Sequence, residues 1–382
     1  MNECSYINLL RFCISKRENM KKHEVDILII GAGQAGLALA YHLQSTDFSY
    51  LLIEQNERIG DSWRKRYDSL TLFTSRAYSA LPGLELEGDP DGYASRDEIA
   101  DYFERYAHHY DFPIHLKQSV EQLKKTQQGF QTTTITGDIC LSRIVVIATG
   151  AFQKASVPQS AGDFAPDVNQ FTAQTYQNPA QIPIGKVLIV GDGASGRDFA
   201  HELSQTHHIL LATGRSRRLS PEKLLGKSIW WWLDRLNLLQ ARKDSFVGKL
   251  MQKTDPFPAR GRRLKSLEKK GVRILPYLTK VEGDIAYFAN GYSAQVDTVI
   301  WATGYQDNSD WVTIADAKDK NGNFVHNEGI SPVENFYFIG RSWQRTRESS
   351  LITGVGDDAE VLVRQLQKKW FQKTEIELQK GV

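Results

Sequence analysis

Apolar and polar positions alternate in blocks that repeat along this chain. Residues 25–30, VDILII, form a short continuous apolar run rich in β-branched side chains, followed by glycines at 31, 33 and 36 and then by LALAYHL, with small and apolar residues at helical spacing. The pattern predicts strand, tight turn and helix. A second apolar run, SYLLIE at 49–54, closes a βαβ unit on Glu54, eighteen residues past Gly36. The same block returns as KVLIVGDGASGRDFAHEL at 186–203, with its second strand in HHILLATGRSRRLS at 207–220.

Between the two units, SRDEIADYFERYAHHYDF (95–112) predicts an amphipathic helix opened by a Ser95–Glu98 capping box. IHLKQSVEQLKK, GFQTTTITGD and SRIVVIATGAF then read as strands, the last running into Ala148-Thr149-Gly150. After the second unit, residues 219–262 form a largely helical insert containing Trp230, Trp231 and Trp232, which are expected in core and interdomain packing because successive residues cannot share one helix face. GVRILPYLTKVEG and AYFANGYSAQVDTVIWATGY predict strands with a hairpin turn at Asn290-Gly291 and a second Ala-Thr-Gly at 302–304. A final amphipathic helix is expected from about residue 357.

Composition narrows the function classes. With 382 residues, 41% hydrophobic and 24% charged, and a formal net charge of +2, the chain reads as two or three globular domains and not as a basic nucleic-acid binder. No apolar run reaches bilayer-spanning length, so no transmembrane segment is expected, and a cytoplasmic protein is. Cys4, Cys13 and Cys140 form no CxxC or CxxxxC pair for a redox disulfide or half a zinc site. His108 and His109 are adjacent and do not share a helix face, so no metal site is expected. Residues 1–23 are expected to be a disordered N-terminal extension.

The glycines have separable duties. Gly31 permits the tight turn, Gly33 lets backbone approach a pyrophosphate, and Gly36 allows close helix packing, while the helix N-terminus offers N–H groups and a positive dipole end. Glu54 suits a ribose diol. The second unit has Arg215, Arg217 and Arg218 after its second strand, and arginines give charge-assisted contacts to a 2′-phosphate. The first unit therefore fits FAD and the second fits NADPH.

From about residue 24 to 368 the chain resembles the flavin-containing monooxygenases, class B flavoprotein monooxygenases, particularly the bacterial cation-efflux-associated flavoproteins and less closely the plant indole-pyruvate monooxygenases. The resemblance is carried by Gly31-Ala-Gly-Gln-Ala-Gly36 with Glu54, GDSW at 60–63 followed by Arg64, YDSLTLFT at 67–74, ATGAF at 148–152, GDGASG at 191–196, ATGRSRR at 212–218, DTVIWATGY at 297–305 and GVGDDA at 354–359. It implies an α/β fold of two Rossmann-like (three-layer ββα) dinucleotide-binding domains, with an NADPH domain (156–304) inserted into a discontinuous FAD domain (24–155 and 305–372).

Carried over by position, the resemblance assigns FAD to Gly31, Gly33, Gln34, Ala35, Gly36, Glu54, Gln55, Ser62, Trp63, Arg64, Thr74, Val120, Thr149, Gly150 and Asp358. It assigns NADPH to Gly191, Gly193, Ala194, Ser195, Gly196, Arg215 and Arg218, and places Thr303 and Gly304 among the cofactor-binding residues. No side chain is assigned as catalytic, since the flavin would carry the chemistry: a C4a-(hydro)peroxyflavin, formed with O2, oxygenating a small soft nucleophile (N or S) or a carbonyl-bearing substrate. The alternatives are an NADPH oxidase or diaphorase and a regulatory redox flavoprotein linked to metal-ion efflux. One departure is plain. NQFTAQTYQNP keeps Phe171 and Tyr176 of the family's FxGxxxHxxx(Y/F) signature without its glycine or histidine, which argues against Baeyer–Villiger chemistry. A small-molecule substrate, no nucleic acid and a self-associating chain are compatible with this reading.

Overall fold

The computed structural model describes residues 20–215, 217, 219–254 and 257–380. The chain builds two main sheets, the first mixed around a parallel centre and the second parallel. The first contains β1 (Lys22–Ile30), β2 (Tyr50–Ile53), β3 (Ile114–His115), β4 (Val120–Thr126), β5 (Gly129–Thr134), β6 (Ile139–Ile147) and a late strand, Phe336–Phe338. Their order is β3-β2-β1-β6-β5-β4, with the late strand also on β6. The 3-2-1 part is parallel, while β4, β5 and β6 are antiparallel neighbours. Ile27–Ile30 are buried because helices and strands cover both faces of a central parallel strand. By contrast β5 alternates, burying Phe130, Thr132 and Thr134.

β6 is shared lengthwise. Its first half, Ile139–Ser142, pairs with β5, and its last three residues, Val145–Ile147, pair in parallel with Phe336–Phe338. The chain thus leaves the first sheet and returns to it near the C-terminus. Helix α1 (Gln34–Leu43) and helix α2 (Arg96–His109) cover one face, and the expected capping box closes α2, with Ser95 Oγ accepting from the Glu98 N–H and Glu98 Oε2 from the Ser95 N–H.

The second sheet is parallel throughout and collects β7 (Asn169–Thr172), β8 (Lys186–Val190), β9 (His208–Ala212), β10 (Arg273–Leu275) and, after the meander β11 (Leu278–Glu282), β12 (Ile285–Phe288) and β13 (Ser293–Gln295), β14 (Thr298–Trp301). Its order is β10-β9-β8-β14-β7. The β12–β13 hairpin turns at Asn290-Gly291, where Gly291 has φ +80°. Helix α3 (Ala194–Leu203) follows β8 as α1 follows β1. The insert holds α4 (Ile229–Arg235) and α5 (Phe246–Thr254), together with short strand pairs that its helical pattern did not signal. Trp230 is buried and donates Nε1–H to the Phe73 carbonyl at 2.8 Å, which ties α4 to the first unit, whereas Trp231 and Trp232, expected in the same packing, are half-buried and meet each other edge to face, with Trp232 Nε1–H on the Leu224 carbonyl of the insert.

The two crossings between sheets lie side by side, Lys154–Ala155 pairing antiparallel with Tyr305–Gln306. A buried ionic junction adds a second tie. Asp198 of α3 accepts the Tyr67 hydroxyl at 2.7 Å and receives Arg260 at 2.8 Å and Arg262 at 2.8 Å, while Arg260 also donates to the Thr71 carbonyl.

Two boundaries differ from expectation. Lys22 and His23, placed in the extension, are the first residues of β1, because β6 begins at Ile139 and offers partners as far as Lys22. Residues 1–19 lie outside the described residues. The last helix, α6 (Gly354–Lys380), starts three residues before the expected 357. Gly354 and Gly356 are inside its first turn, where an added Cβ would approach the Glu348 carbonyl oxygen to 2.2 Å and Pro82 Cγ to 2.7 Å. Among the described residues, no helix is long and apolar enough to cross a membrane.

Candidate functional site

The two glycine turns have the same construction. Gly31 sits at φ +107° and a Cβ there would lie 2.8 Å from the Ala148 carbonyl oxygen; Gly191 sits at φ +103° and would meet the Ala302 oxygen at 2.4 Å. Each turn therefore packs against the first residue of an Ala-Thr-Gly strand end. A Cβ added at the third glycines, Gly36 and Gly196, would fall 2.0 and 1.9 Å from the Gly31 and Gly191 carbonyl oxygens, so in each unit the helix start packs directly on the first glycine. The middle glycines differ from both. A Cβ added at Gly33 would have nothing within 4 Å, and one added at Gly193 would have only an Arg217 guanidinium nitrogen, at 3.9 Å.

Neither middle glycine is needed for backbone strain, since φ is −82° at Gly33 and −68° at Gly193. What they leave is open space at the start of α1 and α3. No side chain caps either helix, so the first-turn N–H groups of Gln34 and Ala35, and of Ala194 and Ser195, face that space as an anion cradle.

The turns are tied to their second strands by opposite means. In the first, Glu54 Oε2 accepts the Ala32 N–H at 2.9 Å, and Oε1 accepts both the Asn56 N–H at 3.0 Å and its Nδ2 at 2.7 Å. A carboxylate has about four lone-pair sites, so one acceptor position remains for an incoming hydroxyl. In the second, strand register makes Thr213 the counterpart of Glu54, since Ile53 pairs with Ile30 as Ala212 pairs with Val190. Thr213 Oγ1 donates to the Leu275 carbonyl at 2.9 Å. The acid here belongs to the turn itself: Asp192 Oδ1 accepts the Gly214 N–H at 3.2 Å, and Oδ2 forms a buried 2.6 Å ion pair with Arg197.

The arginines are thereby separated. Arg217 reaches back toward Gly193 and Arg215 is exposed beyond Gly214. Arg218 lies outside the described residues. Arg217 was in the basic cluster but not among the assigned site residues, and nothing in the spacing distinguishes it from its neighbours; only the path of the loop does.

Around the first turn, Trp63 donates Nε1–H to Gln34 Oε1 at 3.2 Å, which brings the Gly60–Arg64 turn over the start of α1. Ser62 is exposed on that turn. Arg64, expected to flank a cofactor, is directed elsewhere. Its guanidinium pairs with Asp61 at 3.1 Å, Asp101 at 2.7 Å and Glu104 at 3.0 Å, so it fastens the turn to α2. Thr74 is buried and hydrogen-bonded to Ser79 at 2.7 Å. Gln55 is exposed next to Glu54, and Val120 opens β4 two residues after Gln118, whose N–H donates to the Glu54 carbonyl at 2.8 Å.

The strand ends complete the enclosure. Thr149 accepts from Gln153 Nε2 at 2.8 Å; Gly150, at φ +73°, accepts at its carbonyl from Arg341 Nη1 at 3.2 Å. Thr303 Oγ1 donates to the Ser156 carbonyl, and Gly304 accepts the Ser156 N–H at 2.9 Å, so the second Ala-Thr-Gly secures the interdomain crossing. A cleft of about 300 Å³ opens beside that crossing, lined by residues that include Tyr305, Asp307, His326 and Arg341. Arg341 is paired with Asp307 at 2.6 Å. Burial holds the His326 imidazole down to about 4.

From the first cradle the chain runs to α6. A Cβ on Gly340 would touch Ala35 Cβ at 2.7 Å, so the segment after Phe336–Phe338 departs from the start of α1. It ends at the first turn of α6, where Asp358 is buried and accepts Arg345 Nη1 at 3.1 Å, leaving Oδ2 buried without a hydrogen-bond partner among the described residues.

A family model described as pyridine nucleotide-disulphide oxidoreductase matches residues 28–239. The CzcO-like oxidoreductase of Geobacillus kaustophilus is 42% identical over 346 residues, covering 90% of this chain and 99% of that protein. Among solved structures, the flavin-containing monooxygenase of Stenotrophomonas maltophilia superposes with a TM-score of 0.77 at 23% identity, over 91% of this chain and 99% of that one. The bacillithiol disulfide reductase of Staphylococcus aureus superposes with a TM-score of 0.66 at 18% identity, over 91% and 99%. The fold is thus similar to enzymes of two different activities.

Proposed function

The chain belongs to the pyridine nucleotide-disulphide oxidoreductase family, and from that premise we propose that it is an FAD- and NADPH-dependent monooxygenase acting on a small soft nucleophile or a carbonyl-bearing substrate. The observation that carries the reading is the pair of similarly built glycine cradles with charges of opposite sign beside them, the Glu54 carboxylate at the first and the Arg217 guanidinium at the second. An acid accepts a ribose diol and repels a 2′-phosphate, whereas an arginine does the reverse. The residues fit both groups: the space at Gly33 and Gly193 is what a pyrophosphate needs, and uncapped helix starts supply its N–H donors.

When bound, FAD would supply hydride acceptance from the nicotinamide and activation of O2 for transfer of one oxygen atom. This chain's residues would do the rest. Glu54 holds the adenosine ribose, the α1 N-terminus the pyrophosphate, and Trp63 covers the cradle through Gln34. The first turn of α6 aims a positive dipole end at the far end of the site. Tyr67 and Arg260, both on Asp198, fix the second unit relative to the first, so that the nicotinamide approach is set by buried ionic contacts.

A disulfide-reducing activity, suggested by the second structural neighbour, would use a redox cysteine pair, and the sequence spaces its three cysteines without one. The test is oxygen accounting. Purified holoprotein is supplied with NADPH and O2 and a panel of amines, thioethers and ketones, and NADPH loss, peroxide and oxygenated product are measured together. Substrate-dependent product carrying oxygen from O2, with peroxide below NADPH consumed, is expected. Stoichiometric peroxide with every compound would replace the proposal with an NADPH oxidase.

A further inference from the structure

The insert between β9 and β10 commits only part of its apolar surface to the fold. Trp230 and Leu239 are buried with Leu351, and Leu233 packs against them beside Phe73 and Tyr78 of the first unit. Other apolar positions of the same insert face water. Sixteen large apolar side chains are exposed among the described residues, and six of them, Leu224, Leu225, Leu236, Phe246, Val247 and Leu250, fall in the 27 residues from 224 to 250. Single exposed apolar residues are ordinary on a surface, whereas such a concentration marks a contact surface.

Two elements hold these side chains out. Strands Lys223–Leu224 and Lys227–Ser228 form a hairpin whose turn is Leu225-Gly226, at φ +50° and +77°. Turns of that kind favour asparagine, aspartate or glycine, because a large side chain is strained at positive φ. Leu225 stands there 84% exposed, so the fold gains no burial in return for the strain. Trp232 donates Nε1–H to the Leu224 carbonyl at 2.8 Å, and the Lys227 ammonium is 5.8 Å from the Trp231 ring, so indoles and an ammonium group border the leucine tip. In α5, Phe246, Leu250 and Lys253 share one exposed face by four- and three-residue spacing, while Gly248 and Met251 are buried.

Charge identifies the occupant. Residues 221–254 hold seven lysines and arginines against three acids, while the whole chain has a formal net charge of +2, so the rest of the chain is net acidic. A second copy of this chain seated on the same surface would bring two basic inserts together, and like charges repel. Apolar tips flanked by lysines, with tryptophans at their base, match an anionic lipid surface: acyl chains take the leucines, the interface takes the indoles and lipid phosphates take the ammonium groups.

We propose that the insert docks this protein peripherally on an anionic lipid bilayer, through the Leu224-Leu225 hairpin tip and the face of α5 that carries Phe246 and Leu250. With seven residues in α4 and nine in α5, neither helix is long enough to cross a membrane, so the contact is with one leaflet. The proposal stands independently of the cofactor reading.

The experiment is co-sedimentation of the purified full chain with phosphatidylcholine vesicles containing about one-quarter phosphatidylglycerol, and with vesicles of phosphatidylcholine alone. Wild type should pellet with the anionic vesicles at about 0.1 M salt, pellet little with the neutral ones, and lose several-fold in binding at about 0.5 M. Leu225→Asn and Phe246→Gln should each weaken binding roughly tenfold, the effect of withdrawing one large side chain from lipid. Asparagine suits the turn, so Leu225→Asn should melt no lower than wild type by circular dichroism, which separates lost docking from lost folding. Wild type that stays out of the anionic pellet, or pellets equally with neutral vesicles, would overturn the proposal, and so would equal binding by wild type and the double variant. Concentration-dependent dimers in sedimentation velocity that Leu225→Asn dissolves, without vesicle binding, would give the surface to a second copy and overturn it as well.

Discussion

Alanine at Gly33 and alanine at Gly36, three residues apart in one turn, should fail in opposite ways. At Gly36 the new Cβ would stand 2.0 Å from the Gly31 carbonyl oxygen, a backbone atom that cannot swing aside. Overpacking of that kind costs about 1–3 kcal/mol, which for a domain of this size is a fall of roughly 2–12 °C in the melting temperature of the apoprotein. At Gly33 the Cβ would meet nothing within 4 Å, and φ is −82°, which alanine adopts freely. Reduced freedom of the unfolded chain favours alanine there by about 0.4–1 kcal/mol, and the poorer helix cap offsets it by a similar amount. The Gly33→Ala apoprotein should therefore melt within a few degrees of wild type.

The difference appears on adding FAD. A ligand present at about 100 times its Kd stabilises by about 2.7 kcal/mol, and Gly33→Ala should lose most of that increment because the methyl occupies the pyrophosphate's place. Melting of apo and FAD-titrated samples, read by tryptophan fluorescence, separates the two effects. A Gly33→Ala protein with wild-type FAD stabilisation, or one whose apo form is as destabilised as Gly36→Ala, would refute the assignment of space at Gly33 to the cofactor.

Arg217→Ala should weaken NADPH binding by about 1.5–3 kcal/mol, roughly 10- to 150-fold, and leave NADH nearly unchanged, as measured by the KM of each coenzyme; equal losses would remove Arg217 from the 2′-phosphate. Asp198→Ala leaves the half-buried Arg260 and Arg262 without their buried carboxylate, so urea unfolding should show a loss of about 3 kcal/mol. A change under about 1 kcal/mol would mean the junction is not holding the two units together. His326, held down to about 4 in the fold against 6.5 in the unfolded chain, binds fewer protons when folded. Its contribution is present above about pH 6.5 and lost as pH falls toward 4, on the order of 1–3 kcal/mol, and His326→Phe should flatten that part of the stability–pH curve; an unchanged curve would show that His326 does not titrate as assigned.

Several site residues changed meaning once placed. Arg64 follows GDSW in the expected position, yet its guanidinium is taken by Asp61, Asp101 and Glu104, because α2 brings two acids from about forty residues downstream to meet it. Spacing cannot register that meeting. The basic cluster after β9 was legible as charge, but register puts Thr213, not an arginine, opposite Glu54, and the loop path singles out Arg217. Asp192 and Arg197 lie within and just after the second glycine motif, where spacing gave them no role, and form its buried 2.6 Å brace.

The sequence by itself determined the two βαβ units, the tight turn and close helix packing at Gly31 and Gly36, the α2 capping box and the Asn290-Gly291 hairpin. All of these follow from interactions within a few residues, or from a period that backbone geometry imposes. Tertiary structure alone decided that β6 is divided between β5 and Phe336–Phe338, that β1 reaches back to Lys22, and which charged side chains face a cradle. The physical reason is the same in each case: a strand's length and an arginine's direction depend on the partner supplied from distant sequence, and burial sets the charge of an imidazole such as His326 only after the chain has closed around it.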